Sequence, residues 1–275
     1  DFDGNSVWDD TGTENHATGP MPWSEYLGSA EVVIGDPLQI PVFVPRYDAG
    51  GAPIEPGEIF ARFRVISKAE YDNPAFAGIS PEGIAYTGEV EDYRFEVLDV
   101  DYGDAPDNND SVLAPSYATL WSQNGARHIL TGPYLGTYTD WDADGQPVVT
   151  DDADENDDED GVSWDTLLMP GEEATITVTA SEASNLDAWI DFDGNGIFDA
   201  GEQLLGGTIA IPDATPLPIN FVVPTDAMPG STYARFRLSS AGGLSPDGLA
   251  QDGEVEDYPI EISGVDYGDA PDSYA

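Results

Sequence analysis

The feature that restricts this chain most is that it repeats itself. Gly88-Glu89-Val90-Glu91-Asp92-Tyr93 returns as Gly253 to Tyr258, and Asp101-Tyr102-Gly103-Asp104-Ala105-Pro106-Asp107 returns as Asp266 to Asp272, both 165 residues later. Ala61-Arg62-Phe63-Arg64 returns as Ala234 to Arg237 after 173 residues, and Asp1 to Asn5 as Asp191 to Asn195 after 190. The shrinking offset places extra residues in the first copy, as insertions in surface loops do. Self-similarity at a long, fixed period signals tandem modules. The expected organisation is the C-terminal part of one β-sandwich repeat at 1–99, a complete repeat at 100–264 and the start of the next at 265–275. Within the complete repeat, 100–161 is an acidic, cation-binding segment and 162–264 a seven-strand sandwich.

Short alternating runs rich in β-branched and aromatic residues carry the fold class. Val162 to Leu168, Ala174 to Ala180, Leu186 to Ile190, Gln203 to Ile211, Leu217 to Val223, Thr232 to Ser239 and Val255 to Ile262 read as strands separated by Gly/Pro turns. Seven such strands in about 100 residues predict an all-β, Ig-like Greek-key sandwich. In the first copy, Ala30 to Ile34, Leu38 to Val44, Ile59 to Ile66 and Val90 to Leu98 read as strands. Four are too few for such a sandwich, so the missing strands are expected from upstream residues or from another copy of the chain.

Inside this scaffold sits Asp191-Phe192-Asp193-Gly194-Asn195-Gly196-Ile197-Phe198-Asp199-Ala200-Gly201-Glu202. Asp191, Asp193, Asn195 and Asp199 hold positions 1, 3, 5 and 9, Ile197 offers its carbonyl at position 7, and Glu202 closes at 12, with Gly196 at the turn. That is the EF-hand calcium-loop spacing, in which a short loop wraps the ion with oxygens and a distal Glu completes the shell. The preceding run is a strand, so the loop is structural and no helix-opening sensor. A second loop follows the same spacing, with Asp140, Asp142, Asp144, Gln146 at the carbonyl position and Asp151 in place of the closing Glu. Asp1, Asp3, Asn5 and Asp9 keep four positions of a third, but Ser6 replaces the Gly and Gly12 the Glu, which predicts a weaker or rearranged site. Asp151 to Asp160 holds eight acidic residues in ten, and Asp154, Asp158 and Asp160 are candidate ligands there. Carboxylates this dense oppose a compact fold unless cations join them.

The charge balance points the same way. The chain has 54 acidic residues against 8 basic ones, a net charge of −46. Such a polyanion is excluded from binding nucleic acid and anionic membrane surfaces, which require basic residues. No apolar run is long enough to span a membrane. There is no cysteine, hence no disulfide staple, and calcium is the expected substitute.

Gly-Glu-Val-Glu-Asp-Tyr closing a unit and Asp-Tyr-Gly-Asp-Ala-Pro-Asp opening the next are two of five distinctive strings. With them stand Asn124-Gly125-Ala126-Arg127-His128, Asp157-Asp158-Glu159-Asp160-Gly161-Val162 and Trp189-Ile190-Asp191-Phe192-Asp193. Together they resemble the GEVED-domain family of tandem β modules in large secreted and cell-surface bacterial proteins. The resemblance implies a repetitive extracellular polypeptide at the bacterial cell surface, an adhesin, matrix or filament protein, with no enzymatic activity.

Arg235 and Arg237 lie on one face of their strand with Phe236 on the other, which predicts an ion-pair ladder to Glu254, Glu256 or Asp257. His128 is expected to hydrogen-bond within its turn. Asp101, Asp104 or Asp107 are expected to hold an ion at the junction of successive modules. No nucleophile elbow, zinc-protease or phosphate-loop motif occurs, so the chain is read as no enzyme. Its expected partners are calcium ions and other copies of the chain or neighbouring repeats. The alternative reading is an adhesin or carbohydrate-binding module whose Trp121, Trp141 or Tyr138 stack on cell-surface glycans.

Overall fold

A computed structural model describes residues 57–73, 84–106, 117–139, 141–142, 144–145 and 159–264. The chain divides into two compact units, Asp1–Leu98 and Asp99–Ala275. The structure is all-β with several antiparallel sheets. The strands expected at Ala30 to Ile34 and Leu38 to Val44 lie outside the described residues.

In the first unit, β1 (Gly57–Val65) and β2 (Glu89–Val97) form a nine-residue antiparallel ladder. A single helical turn, Lys68–Tyr71, follows β1, its first turn capped by the Ser67 hydroxyl accepting from the Glu70 amide. Arg62 forks onto Asp92 across the ladder, with both N–O distances 2.7 Å.

The second unit contains β3 (Val100–Tyr102), β4 (Arg127–Ile129), β5 (Val162–Trp164), β6 (Glu173–Val178), β7 (Ser184–Ile190), β8 (Ile209–Ile211), β9 (Leu217–Val222), β10 (Gly230–Ser239), β11 (Leu249–Ala250) and β12 (Glu254–Ile262). Strands β5-β6-β9 make one antiparallel sheet and β12-β10-β7-β8 another. In β6, Ala174, Ile176 and Val178 point inward while Glu173 and the two threonines point away, so the smaller sheet has one buried face. Its apolar side packs on Leu186, Ala188, Ile190, Ala234, Phe236 and Leu238 of the larger sheet. Phe236 sets the centre, with Trp164 and Tyr258 each edge-on to its ring.

One expected strand is shorter than read. Of Gln203 to Ile211 only β8 is extended, and Leu204–Gly206 forms a 3-10 turn. The Leu204-Leu205 pair imitates a strand, but Leu204 is buried and Leu205 exposed, and Gly206-Gly207 breaks the ladder.

The larger sheet is buried on both faces. Its outer face carries Trp189, Arg235, Arg237 and Asp257, and residues 100–106 and 117–128 with the small sheet β11-β4-β3 lie over it. Arg235 forks onto Asp257 at 2.7 Å through both Nε and Nη2, and donates from Nη1 to the carbonyls of Ala118 and Pro246. Its guanidinium also lies 5.1 Å from the Phe198 ring centre.

Arg237 departs from the expected ladder. Its Nε donates to His128 Nε2 at 3.0 Å, and its other nitrogens donate to the carbonyls of Ser245, Asp247, Arg127 and Gly248. With no carboxylate in that set, burial and the neighbouring Arg235 lower its pKa to about 9. His128 is therefore no local turn residue. Because Arg237 Nε can only donate, His128 Nε2 must accept, and Nδ1 carries the proton given to the Asp252 carbonyl at 2.8 Å. Burial, with the charge of Arg237, holds the imidazole neutral well below its ordinary pKa.

The two glutamates of the closing motif accept from backbone amides. Glu254 accepts from the Leu135 amide; Glu256 accepts from the amides of Asp160 and Gly161 and from the Tyr258 hydroxyl. Asp101 accepts from the Val255 amide at 2.6 Å, and Asp257 accepts from the Ala105 amide at 2.8 Å. Asp101 is thus buried within its own unit, where an ion at a module junction was expected. Gly103 is required by this closeness, since a Cβ there would lie 2.5 Å from Asp257 Oδ2. The opening and closing motifs recur because each is the other's binding surface.

Two outcomes are expected. Arg235→Met strands the Asp257 carboxylate in a dry interior and lowers stability by about 3–5 kcal/mol in urea unfolding, and the double variant with Asp257→Leu recovers part of that loss. Protonating His128 destroys its acceptor, so the folded state binds fewer protons than the unfolded one below the ordinary histidine pKa. Stability is complete above about pH 6.5 and falls with a slope of up to about 1.4 kcal/mol per pH unit below it. Urea titrations between about pH 5 and 7 measure that slope, and His128→Gln, which keeps an acceptor and a donor but cannot charge, flattens it.

Candidate metal centre

Strand β7 ends at Ile190, and the next residue begins the acidic loop. The Asp191 amide donates to the Tyr233 carbonyl and the Thr232 hydroxyl donates to the Asp191 carbonyl, so the loop is anchored on β10. From there the chain folds back on its own side chains. Asp191 Oδ1 accepts from the Asn195 amide at 3.1 Å and Oδ2 from the Gly196 amide at 2.9 Å. Asp193 accepts from the Asn195 amide, and Asn195 Oδ1 from the Ile197 amide at 2.8 Å. These Asx-type bonds wind the chain tightly, and Gly196 absorbs the sharpest part at φ +84°.

The loop leaves through a 3-10 turn, Ala200–Glu202, which swings Glu202 back under it. Glu202 Oε1 accepts from the amides of Phe192 and Asp193, and Oε2 from that of Asp199. Asp191, Asp193 and Glu202 thereby each bring a carboxylate oxygen within 4.8 Å of the others. Among the described residues this is the grouping of three acidic side chains close enough to share a cation. Asn195 and Asp199 flank it, 3.3 Å apart between Nδ2 and Oδ2, and the Ile197 side chain turns out to solvent.

Asp191 and Glu202 are both buried. Burial, and then the charge of Asp191, raise the Glu202 pKa against the pull of its three amide donors. A second partner comes from the far side of the sheet: the buried Tyr117 hydroxyl donates to Asp191 Oδ2 at 2.6 Å while its ring stacks on Phe198, centroids 4.7 Å apart. Burial and Asp191 raise the Tyr117 pKa, keeping it a donor. Nothing in the sequence pairs Tyr117 with Asp191, since 74 residues separate them.

The other candidate ligands are placed as follows. Asp142 is buried and accepts from the Tyr102 amide, and Asp144 accepts from the Trp121 and Gly145 amides. Asp140, Gln146 and Asp151 of the same loop, Asp154 and Asp158 of the acidic run, and Asp1, Asp3, Asn5 and Asp9 lie outside the described residues. Asp160 is exposed and binds the Thr137 amide and hydroxyl, fastening one loop to another.

The oxygen-rich loop at the end of a central strand and the acidic final strand belong to one all-β module. Residues 185–261 match the family model of the GEVED domain. Comparison with curated proteins finds no match. The matched span runs from β7 to β12 and includes the acidic loop, Arg235, Arg237 and the closing motif.

Removing the Tyr117 hydroxyl tests the anchoring of the loop. Tyr117→Phe deletes a hydrogen bond to a buried carboxylate and is expected to destabilise the chain by about 1.5–3 kcal/mol in urea unfolding.

Proposed function

We propose that this chain is a non-catalytic, extracellular structural protein. In this reading it is a tandem array of calcium-stabilised, Ig-like sandwich modules that builds a fibre, filament or stalk at a bacterial cell surface. The observation that carries the proposal is the convergence of Asp191, Asp193 and Glu202 in a loop with oxygen donors at every other required position. Two buried carboxylates side by side repel each other, and a hard divalent cation removes that penalty while using their oxygens. Asp191, Asp193, Asn195, Asp199 and Glu202 would hold calcium by side chains and Ile197 by its carbonyl. The ion supplies no chemistry beyond cross-linking the loop.

The Greek-key Ig-like assignment rests on strand order. β5-β6-β9 against β12-β10-β7-β8, with β6-β7, β8-β9 and β9-β10 crossing between sheets, supports a three-on-four sandwich of that kind. The tandem assignment is supported by register: Ala61 faces Tyr93 and Arg62 faces Asp92 in β1-β2, as Ala234 faces Tyr258 and Arg235 faces Asp257 in β10-β12. No helix among the described residues is long and apolar enough to cross a membrane. Exposure of Trp121 and Tyr138 favours the second reading, an adhesin or carbohydrate-binding module, and saturable binding on a glycan array would select it.

Thermal and urea unfolding at fixed ionic strength, with calcium and with excess chelator, tests the main proposal. Saturating calcium is expected to add about 4 kcal/mol at a thousandfold excess over Kd, and sodium chloride at several hundred millimolar does not replace it. Asp193→Asn keeps the bond to the Asn195 amide but removes a ligand charge, so it weakens the calcium response while leaving chelated stability nearly unchanged. No calcium-dependent shift would sink the proposal.

A further inference from the structure

Tyr117 is held at both ends by the acidic loop. Its buried hydroxyl donates to Asp191 Oδ2 at 2.6 Å, the oxygen that also accepts from the Gly196 amide. Its ring stacks on Phe198, the eighth residue of the loop, and Tyr233 of β10 packs against the same ring with centroids 5.5 Å apart. Ala105, Tyr117, Trp189 and Phe198 form a buried apolar cluster of their own, separate from the core between the two sheets.

The outer segment is chained to that ring. The Tyr117 amide donates to the Pro106 carbonyl at 3.1 Å, the Thr119 hydroxyl to the Ala105 carbonyl at 2.6 Å, and the Ala105 amide in turn to Asp257. Arg235 joins both sides, since the guanidinium that forks onto Asp257 also donates to the Ala118 carbonyl and lies against Phe198. The first and eighth residues of the loop therefore meet one outer-layer side chain, through which residues 105–106 and 117–119 are seated. A cluster packed at interior density transmits strain, so a change in the winding of the loop is felt at Tyr117.

We propose that calcium in the acidic loop controls how firmly residues 103–106 and 117–120 sit on the outer face of the larger sheet, with Tyr117 as the positioning residue that couples the two. The proposal rests on the calcium reading and deepens it by naming what the ion regulates. A cation shared by Asp191, Asp193 and Glu202 fixes the winding of the loop, and Asp191 Oδ2 and Phe198 are then held where Tyr117 meets them. Without the ion, Asp191 and Glu202 repel each other, the loop loosens, and the hydroxyl and ring contacts weaken together. Coupling of this kind is reciprocal, so the seated segment in turn favours the wound, ion-binding loop.

Amide hydrogen exchange of the 275-residue chain, followed by mass spectrometry with saturating calcium and with excess chelator, reads each region separately. Calcium is expected to slow exchange in 191–202 and, by about fivefold or more, in 103–106 and 117–120. In Tyr117→Phe the slowing in 191–202 and in β6 persists, while that in the outer segment is lost. Should Tyr117→Phe not fold, Phe198→Leu, which keeps the hydroxyl contact and removes the stacked ring, is expected to reduce the outer slowing in the same way. An outer segment indifferent to calcium while the loop is slowed overturns the coupling and leaves the calcium reading standing. Outer slowing that survives the substitution in step with β6 reports global stability alone and overturns it too. No slowing in any region overturns both.

Discussion

A carboxylate accepting from a backbone amide is the interaction on which this protein depends. With 54 acidic side chains and 8 basic ones, the chain cannot neutralise its acids by pairing them. It buries several of them nonetheless, and these accept from backbone N–H groups, many of them in loops. Glu254 holds Leu135, Glu256 holds Asp160 and Gly161, Asp101 holds Val255, and Glu202 holds Phe192 and Asp199. Such bonds are charge-assisted and satisfy backbone donors that would otherwise be orphaned. Acidity that looks like surface solvation in the composition is, in the second unit, the internal fastening of irregular segments.

Cations within the fold are correspondingly few and are placed where several elements meet. Arg235 takes the one buried salt bridge described, and Arg237 is held by carbonyls and a neutral imidazole. Five donors in a fixed planar fork let one side chain collect the carbonyls of four residues, which lysine could not do. This explains why both arginines recur in the sequence beside the closing motif.

Much of this was legible beforehand. Alternation in Ala174 to Val178 specified one buried face, and the acidic loop showed its turn glycine and donors by spacing alone. What could not be read was partnership across distance. Nothing local links Tyr117 to Asp191, His128 to Arg237, or Asp101 to Val255, because these meet only once the larger sheet has formed. Spacing also does not show which amides a carboxylate accepts from, as Asp101 does from Val255 and Asp160 from Thr137. Recurrence of Asp101 as Asp266 in a fixed string is the available clue, since a solvating acid has no reason to keep its place.

The separation of the opening and closing motifs has a consequence for synthesis. Asp101 and Val255 are 154 residues apart, so the segment over the outer face of the larger sheet is made long before β10 and β12 exist. At usual rates of elongation that interval is on the order of 10 s, much longer than hairpin formation. The waiting segment must stay open and soluble without a fold to join. Its own negative charge supplies that: it repels neighbouring nascent chains until the last strand arrives and the same acids find their amides.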